Sequence, residues 1–229
     1  MDFSYVKRNY DELSGEISYL CTKYSSAPVT LVSVTKSATD GEVIELCRSG
    51  AYDIGENRPQ MLMARHELLS SAGLFPNFHA IGSIQRNKAR TVVGLSSLIH
   101  SLDSIRLAEA LNKEAQKCAK TVSVLIEINS AEEEAKGGIL PRDAERFFIE
   151  MKKFESLSVA GIMTMGPVCE HPEDIRPYFR LAKNIYDDIN SRYGFSGGGI
   201  LSMGMSDSYR IAIEEGSTLV RVGRRLFIK

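Results

Sequence analysis

A lysine stands at the end of one of the most β-branched runs in the chain. The run VTLVSVTK ends at Lys36, where an apolar strand would deliver the amine to its carboxyl end. A lysine held in a partly dry cavity has a lowered pKa and attacks aldehydes as an amine nucleophile. The alternative is a strand-end lysine that reaches solvent along its alkyl chain or pairs with Glu56. The residue by itself leaves both interpretations open.

Two glycine-containing segments near the end of the sequence have the composition of an anion site. Gly204 and Ser206 follow one short apolar run, and Gly223 and Arg224 follow the next. Glycines let backbone N–H groups approach an anion, a serine hydroxyl adds a donor, and a helix beginning near Asp207–Ser208 would point its positive end inward. The alternative is that the glycines only relieve tight turns. Two such loops together predict a phosphate site.

Two further polar residues lie in or directly after predicted strands. Arg221 lies inside the run STLVRVG, where a guanidinium stays charged and needs an acceptor. That acceptor is a heteroaromatic nitrogen of a ligand or the carboxylate of Glu214 or Glu56. Asn57, at a strand-end turn, either binds the ligand or caps the helix that follows.

The remaining polar candidates favour structural roles. His79 in FHAI is typical of a satisfied buried histidine, and Asp103 of a helix cap, more than of a catalytic base or acid. The four histidines and four cysteines are scattered, with no HxxxH, HExxH or CxxC pattern. The sequence therefore predicts neither a metal site built from protein side chains nor a disulfide framework.

The elements that must position these residues alternate between two types. Short β-branched or apolar runs predict eight buried strands: Val29–Thr35, Tyr52–Gly55, Phe78–Ile81, Leu98–Ser101, Thr121–Asn129, Val159–Met163, Gly199–Ser202 and Leu219–Val222. Longer segments with helical spacing lie before and between them, the clearest being Val6–Tyr24, Asp40–Ser49, Leu102–Lys120 with a cap at Asp103 or Ser104, Pro141–Phe154 and Ile175–Tyr193.

This alternation predicts a parallel sheet, and eight units in 229 residues predict closure into an α/β fold, the (β/α)8 TIM-type barrel, with an extra N-terminal helix. We expect one domain over residues 1–229. The competitor, an open doubly wound sheet, would need a glycine-rich loop after the first strand, and Thr35–Ala38 is not one. In a barrel the candidate residues meet at the carboxyl ends of the strands, together with Asn129 and the loop 136–138 that follows strand five.

Charge and hydropathy exclude several classes of protein. The 28 Lys and Arg residues are balanced by 29 Asp and Glu, without the basic excess of a nucleic-acid or anionic-membrane surface. No apolar run approaches the ~18 residues of a membrane span. The segment MDFSYVKRNYDEL lacks the apolar core of a signal peptide. We therefore expect a cytoplasmic protein that binds neither nucleic acid nor membrane.

Longer motifs carry a resemblance to a known family. These are VSVTKSA (32–38), GENRPQ (55–60), FHAIGSIQRNK (78–88), INSAEEEAKGG (128–138), AGIMTMGP (160–167) and LSMGMSDSYRIAIEEGSTLVRVG (201–223). In this order, and across most of the chain, the sequence resembles the YggS/PROSC family of pyridoxal-phosphate homeostasis proteins. That family is related to the N-terminal barrel of alanine racemase.

The resemblance implies a cofactor and the residues that hold it. Lys36 would form the internal aldimine, a Schiff base, with pyridoxal 5′-phosphate (PLP). Ser206 and the backbone at Gly223 and Arg224 would hold the phosphate. This sequence departs from the family at Arg224, since small hydroxyl residues are common there, and at 58–59, where Arg-Pro replaces a usual aromatic residue.

The remaining implied contacts concern the cofactor ring. Arg221 would face the pyridine nitrogen, and Asn57 would lie beside the cofactor. An arginine there does not keep the ring nitrogen protonated, so the cofactor is a weaker electron sink than one facing an aspartate.

The resemblance also implies a function. Alanine racemases add an all-β domain with a catalytic tyrosine, which we expect to be absent here. We therefore expect a non-catalytic, monomeric carrier or regulator of PLP in vitamin B6 homeostasis, with PLP-dependent apo-enzymes as acceptors of the cofactor. The alternatives are a PLP-dependent amino-acid racemase that uses Lys36 as one base, and a phosphosugar-binding barrel.

Overall fold

Eight parallel strands close into a barrel in chain order. The computed structural model describes residues 2–24, 26–133 and 137–229. Each strand is hydrogen-bonded to the next, and β8 returns to β1. The strands are β1 Thr30–Val34, β2 Asp53–Glu56, β3 Asn77–Ala80, β4 Leu98–Leu102, β5 Val122–Glu127, β6 Leu157–Met163, β7 Ile200–Ser202 and β8 Leu219–Val222. The predicted barrel is confirmed, and the open sheet is excluded.

Helices surround the barrel and follow its strands. They are α1 Ser4–Lys23, α2 Asp40–Arg48, α3 Pro59–Ser71, α4 Ala89–Leu95, α5 Ile105–Lys117, α6 Ala144–Met151, α7 Arg176–Tyr193 and α8 Tyr209–Glu214. Short 3-10 turns lie at Arg86–Lys88, Pro141–Asp143, Pro172–Ile175, Ser196–Gly198 and Arg224–Leu226. The extra N-terminal helix is confirmed as α1.

Two helices begin later than the sequence predicted. Leu102 belongs to β4, and α5 starts only at Ile105 because the Ser104 hydroxyl accepts the Leu107 N–H and caps it there. Asp103 is therefore not the cap; it accepts a hydrogen bond from Ser104 at 3.0 Å. Pro141 opens a 3-10 turn, and α6 follows from Ala144.

The apolar core lies in two places. The barrel interior contains a layer of apolar side chains, whereas larger clusters fill the space between the strands and the helices. Fully burying one Leu, Val or Ile side chain stabilises the fold by about 1.5–3 kcal/mol. The interior layer consists of Val32, Leu98, Leu125, Ala160, Met163 and Leu219.

Helix α1 packs against the outside of the barrel along one apolar stripe. Val6, Leu13, Ile17 and Leu20 recur at helical spacing and are all buried. They belong to the cluster that also contains the buried side chains of α2, α3 and α8. The helix is thus held by tertiary packing, as expected for an amphipathic segment.

The cysteines, the potential metal ligands and the helices of the described ranges exclude three kinds of feature there. All four cysteines are free thiols. Residues 2–24, 26–133 and 137–229 contain no group of three His, Cys, Asp or Glu side chains placed to hold a metal ion. No helix in those ranges is long and apolar enough to cross a bilayer.

Candidate functional site

The order of the strands brings most of the candidate residues to one rim. Strands β8, β1 and β2 are neighbours, so the residues that follow their carboxyl ends lie side by side. Arg224, Lys36 and Asn57 are three of these residues. Ser206 joins them from the loop after β7, which pairs with β8. The structure thus gathers residues that are far apart in sequence.

Lys36 lies in a tight turn directly after β1. The Ala38 N–H donates to the Thr35 carbonyl at 3.0 Å and closes this turn. The Lys36 side chain is exposed, and it forms no ion pair within the described part of the chain. The expected alternative pair with Glu56 is wrong, since Arg65 and Thr35 occupy that carboxylate.

A buried ion pair fixes the turn that carries Lys36. Arg65 on α3 contacts Glu56 at 3.6 Å and donates to the Ala38 carbonyl and to Asp40. Thr35 donates its hydroxyl to Glu56 at 2.6 Å. Burial raises the pKa of Glu56, although the Thr35 hydrogen bond and the Arg65 charge oppose that shift. The base of the Lys36 turn is therefore held by a charged network that the sequence did not reveal.

The two predicted phosphate loops touch each other. The Gly223 N–H donates to the Ser206 hydroxyl at 3.4 Å. Gly204 has a φ of +93°, and a Cβ there would lie 2.5 Å from the Ala212 Cβ. A Cβ at Gly223 would lie 2.9 Å from the Val34 carbonyl oxygen. Close packing thus requires glycine at both positions. It lets the two loops approach until Ser206 and Gly223 are in contact.

Helix α8 begins where the sequence predicted, next to Asp207–Ser208. Its N-cap is Ser208, its first residue is Tyr209, and it has six residues. The N–H groups of Ser208 and Tyr209 both donate to the Met205 carbonyl, at 2.9 and 2.8 Å. Arg224 pairs with Asp207, and its side chain is 72% exposed. That the positive end of this helix points toward a ligand stays a prediction.

Asn57 lies half-buried at the end of β2. The N-cap of α3 is Arg58, with no side-chain cap, so the capping alternative for Asn57 is wrong. Its backbone carbonyl packs against Gly82. A Cβ on residue 82 would lie only 2.2 Å from the Asn57 backbone oxygen. In the described residues its side-chain amide forms no hydrogen bond.

The loop after β5 is described only in part. Asn129 is buried and donates to the Glu133 carbonyl at 2.9 Å. Lys136, which the sequence placed in the same loop, lies outside the described residues.

Arg221 is buried inside the barrel, with 4% of its surface exposed. It donates to the Ser202 hydroxyl and, at 3.0 Å, to the Thr164 carbonyl. The expected alternative pairs are wrong: Glu56 contacts Arg65, and Glu214 lies on the outer surface with Arg176. Burial lowers the pKa of Arg221 to about 10, opposed by the charge of Glu127.

His79 is a satisfied buried histidine, as predicted, but it belongs to a larger network. It lies 3.0 Å from Asp53 and 2.9 Å from His100, which in turn lies 3.0 Å from Ser202. Sequence reasoning missed His100, Ser202 and Asp53 as partners. The available signal was that polar residues interrupt otherwise apolar strands.

Glu127 is a second residue that the sequence analysis missed. It ends β5 and is buried, with 6% of its surface exposed. Burial and the nearby Asp103 raise its pKa to about 7, although Arg221 opposes the shift. A carboxyl group with such a pKa can give or take a proton near neutral pH.

Comparisons with known proteins agree on one family. A model of the family "Alanine racemase, N-terminal domain" matches residues 9–228. A pyridoxal phosphate homeostasis protein of Aquifex aeolicus is 38% identical over 197 residues, covering 86% of this chain and 85% of that protein.

Solved structures give the same result. An unknown protein from Bifidobacterium adolescentis superposes with a TM-score of 0.91 at 31% identity, covering 99% of this chain and 97% of that one. PipY of Synechococcus elongatus, with PLP bound, gives a TM-score of 0.79 at 26% identity, covering 93% and 99%. This chain therefore belongs to the alanine racemase N-terminal domain family, and within it to the pyridoxal phosphate homeostasis proteins.

Proposed function

We propose that this protein binds PLP through Lys36 and contributes to the homeostasis of that cofactor. The observation that carries the proposal is the exposed Lys36 amine, without an ion-pair partner in the described residues, on the same rim as Ser206 and Gly223. Relatives named for PLP homeostasis and a PLP-bound neighbour support it.

The residues present fit the groups of this cofactor. Ser206 and Gly223 offer a hydroxyl and a backbone N–H for a phosphate, and Arg224 offers its backbone, since its side chain is committed to Asp207. Arg221 has N–H groups beyond the two bonds described and would face the ring nitrogen. Asn57 would lie beside the ring.

Bound PLP supplies an aldehyde that a lysine amine attacks, and a ring that withdraws electrons. The chain's own part is to present one amine and to bind the phosphate and the ring. Glu56 and Arg65 hold the turn below Lys36, so the amine leaves the barrel at a fixed place. Arg221 offers a donor without keeping the ring nitrogen protonated.

The exposure of Lys36 supports a carrier that releases its cofactor. An attachment residue that water and other amines can reach exchanges its ligand more readily than one sealed in a closed site. We therefore propose that PLP-dependent apo-enzymes accept the cofactor from a monomer of this protein. Four free thiols support a cytoplasmic location, since reducing compartments keep cysteines unpaired.

Absorbance and peptide mapping test the attachment. The full chain is loaded with PLP, reduced with borohydride and digested, and mass spectrometry should find the modification on Lys36. Lys36→Ala should lose the visible band near ~420 nm that a lysine-bound PLP gives. Lys153→Ala, an exposed lysine at the opposite rim, is the matched control and should keep it. A band that survives Lys36→Ala would overturn the proposal.

A transfer assay tests the homeostasis role. The PLP-loaded chain is mixed with an apo-aminotransferase in the presence of a trap for free PLP, and recovery of aminotransferase activity is followed. Recovery faster than from free PLP at the same concentration supports direct delivery. Recovery that the trap abolishes would contradict it.

One observation favours a second function, an amino-acid racemase. Glu127 is buried near Arg221 and has a pKa of about 7. Such a carboxyl group would serve as a second base in addition to Lys36. Incubating the loaded chain with L-alanine or L-serine and measuring the D-enantiomer distinguishes the two functions. Turnover that Glu127→Gln abolishes would establish the racemase, and its absence would leave the carrier.

A further inference from the structure

A continuous chain of hydrogen bonds crosses the barrel interior. It runs from Asp53 to His79 (3.0 Å), to His100 (2.9 Å), to Ser202 (3.0 Å) and on to Arg221. We propose that Asp53, His79 and His100 are positioning residues that act through Ser202 and hold the buried Arg221 side chain in one orientation. This inference rests on the proposed function, because Arg221 would face the cofactor ring.

The direction of every hydrogen bond in the chain follows from Arg221. A guanidinium only donates, so the Ser202 oxygen accepts from it and the Ser202 hydroxyl hydrogen must point to His100 Nδ1. His100 then carries its proton on Nε2 and donates to His79 Nδ1. His79 in turn carries its proton on Nε2 and donates to Asp53. Both tautomers are thus specified by the donor at one end and the acceptor at the other.

The burial of this network makes the reversed tautomer of His100 unfavourable. His100 and Ser202 are fully buried, and 5% of His79 is exposed, so water cannot replace a lost partner. Burial is the main cause that holds the pKa of His100 well below 6.5, and the charge of Arg221 adds to it, so this ring is neutral. If His100 reversed its tautomer, Ser202 would receive two donors and lose the acceptor for its own hydrogen. The chain therefore favours one state.

The far end of the chain reaches solvent at the other face of the barrel. Asp53 begins β2 and lines a cavity of about 690 Å³ beside α1, together with Tyr10 and Tyr52. Its side chain is 25% exposed and also accepts from Asn77 at 3.1 Å. Burial opposes its ionisation, but the hydrogen bonds from His79 and Asn77 outweigh burial and lower its pKa. A charged acceptor at this end polarises each bond toward it.

A purely structural role makes a different prediction. If these residues only fill the barrel, a shape-conserving change at His79 should leave Arg221 and ligand binding unaltered. If they position Arg221, the same change should free the His100 tautomer and loosen Arg221, although three hydrogen bonds separate His79 from Arg221.

Nitrogen-15 NMR of the imidazole rings tests the direction of the hydrogen bonds between Asp53 and Arg221. The full chain contains only four histidines, which makes the spectrum easy to assign. Without PLP and with it, we expect His79 and His100 to carry their protons on Nε2. A proton on Nδ1 of His100 in the wild-type chain would overturn the inference, whether or not PLP binds.

A pair of matched variants tests the effect on the site. His79→Phe should mix the His100 tautomers and weaken PLP binding about threefold to tenfold, the range for one lost hydrogen bond. His66→Phe changes a half-buried histidine on α3 that does not belong to the hydrogen-bond network. It should alter neither the His100 tautomer nor the PLP affinity. Unchanged tautomers and unchanged PLP affinity in His79→Phe would overturn the inference.

Asp53→Asn provides a second variant should His79→Phe fail to fold. It keeps the shape of the acceptor and removes its charge, so the tautomer preference and the PLP affinity should both weaken in the same direction. The outcomes also separate the two proposals. A wild-type chain with the expected tautomers that never binds PLP would overturn the proposed function alone. Attachment of PLP at Lys36 with reversed tautomers would overturn only this inference.

Discussion

The interior of the barrel and its carboxyl-terminal rim hold their polar residues in opposite ways. Inside, His79, His100 and Arg221 are buried and bonded to other protein groups. At the rim, Lys36 has no ion-pair partner and the Asn57 amide has no hydrogen-bond partner, as far as the described residues extend. The interior is therefore fixed before any ligand binds, while the rim keeps unused groups for one.

This difference follows from access to water. A buried polar group without a partner costs about 1–3 kcal/mol, so the network from Asp53 to Arg221, in which each side chain has partners, is favoured in the barrel interior. At the rim water can solvate a free amine or amide, and unpaired groups are tolerated there. Substitutions inside the barrel should therefore act first on stability, and on binding only through Arg221, whereas those at the rim should act directly on binding.

The largest effect is expected from cutting the interior network. His100→Leu keeps similar bulk but leaves His79 Nδ1 and the Ser202 hydroxyl hydrogen without a partner, so we expect a loss of about 2–4 kcal/mol. Urea unfolding measures it. The control is Ser96→Ala, a buried serine whose hydroxyl has no hydrogen-bond partner in the described residues, which should change stability far less. A neutral His100→Leu would contradict the idea of a complete network.

Glu127 is expected to make stability depend on pH. Its folded pKa of about 7 lies above the ordinary 4.5, so its contribution is complete below pH 4.5 and is lost as pH rises through 7. Glu127→Gln should therefore gain up to about 3 kcal/mol over the wild type at pH 8 and little at pH 4. The attraction to Arg221 is already contained in the pKa of about 7, which it lowers.

Urea unfolding at both pH values measures the Glu127 effect. Glu109→Gln, an exposed glutamate on α5, is the control and should show no such dependence. An equal effect of Glu127→Gln at pH 4 and pH 8 would show that this carboxyl does not titrate in the folded range.

Gly223 lies where the interior meets the rim, and should affect both properties. In Gly223→Ala the new Cβ would lie 2.9 Å from the Val34 carbonyl oxygen, so we expect a loss of about 1–2 kcal/mol and weaker PLP binding. Gly15→Ala on α1 meets open space and should stabilise by about 0.5–1 kcal/mol. Thermal unfolding and a PLP titration test both. Tight binding in Gly223→Ala would contradict its place in the phosphate site.

The smallest effect is expected at the outer edge of the rim. Arg224 and Asp207 form an ion pair in which both side chains are at least 70% exposed. Arg224→Ala should change stability by less than about 0.5 kcal/mol. PLP affinity should also persist if only the backbone at this position binds the phosphate. A large loss of affinity would assign a direct role to the side chain.

Much of the architecture could be predicted because it depends on local patterns. The run Leu219–Val222 was predicted with its observed bounds, and Ile175–Tyr193 was predicted within one residue of α7. The start of α5 was left open between caps at Asp103 and Ser104, and the structure selects Ser104, so the helix begins only at Ile105. Such a cap competes with neighbouring residues, and only the folded geometry decides between them.

Site residues were harder to interpret than elements. Lys36, Ser206 and Gly223 could be identified because they follow strands, and the fold indeed brings them to one rim. The partners of Arg221 and Lys36 could not be predicted. Glu56 was a candidate partner for both, but its carboxylate contacts Arg65 on the following helix. Long-range pairing depends on which side chains face each other across the packed layers.

The sequence by itself determined the barrel, the rim and the candidate cofactor residues, because alternation of strands and helices and residue order along parallel strands are local properties. Only the tertiary structure decided that His79, His100 and Ser202 join Asp53 to Arg221. These residues come from separate strands and meet only when the sheet closes on itself. Closure places them in one water-free interior, where each must find its partner in another strand.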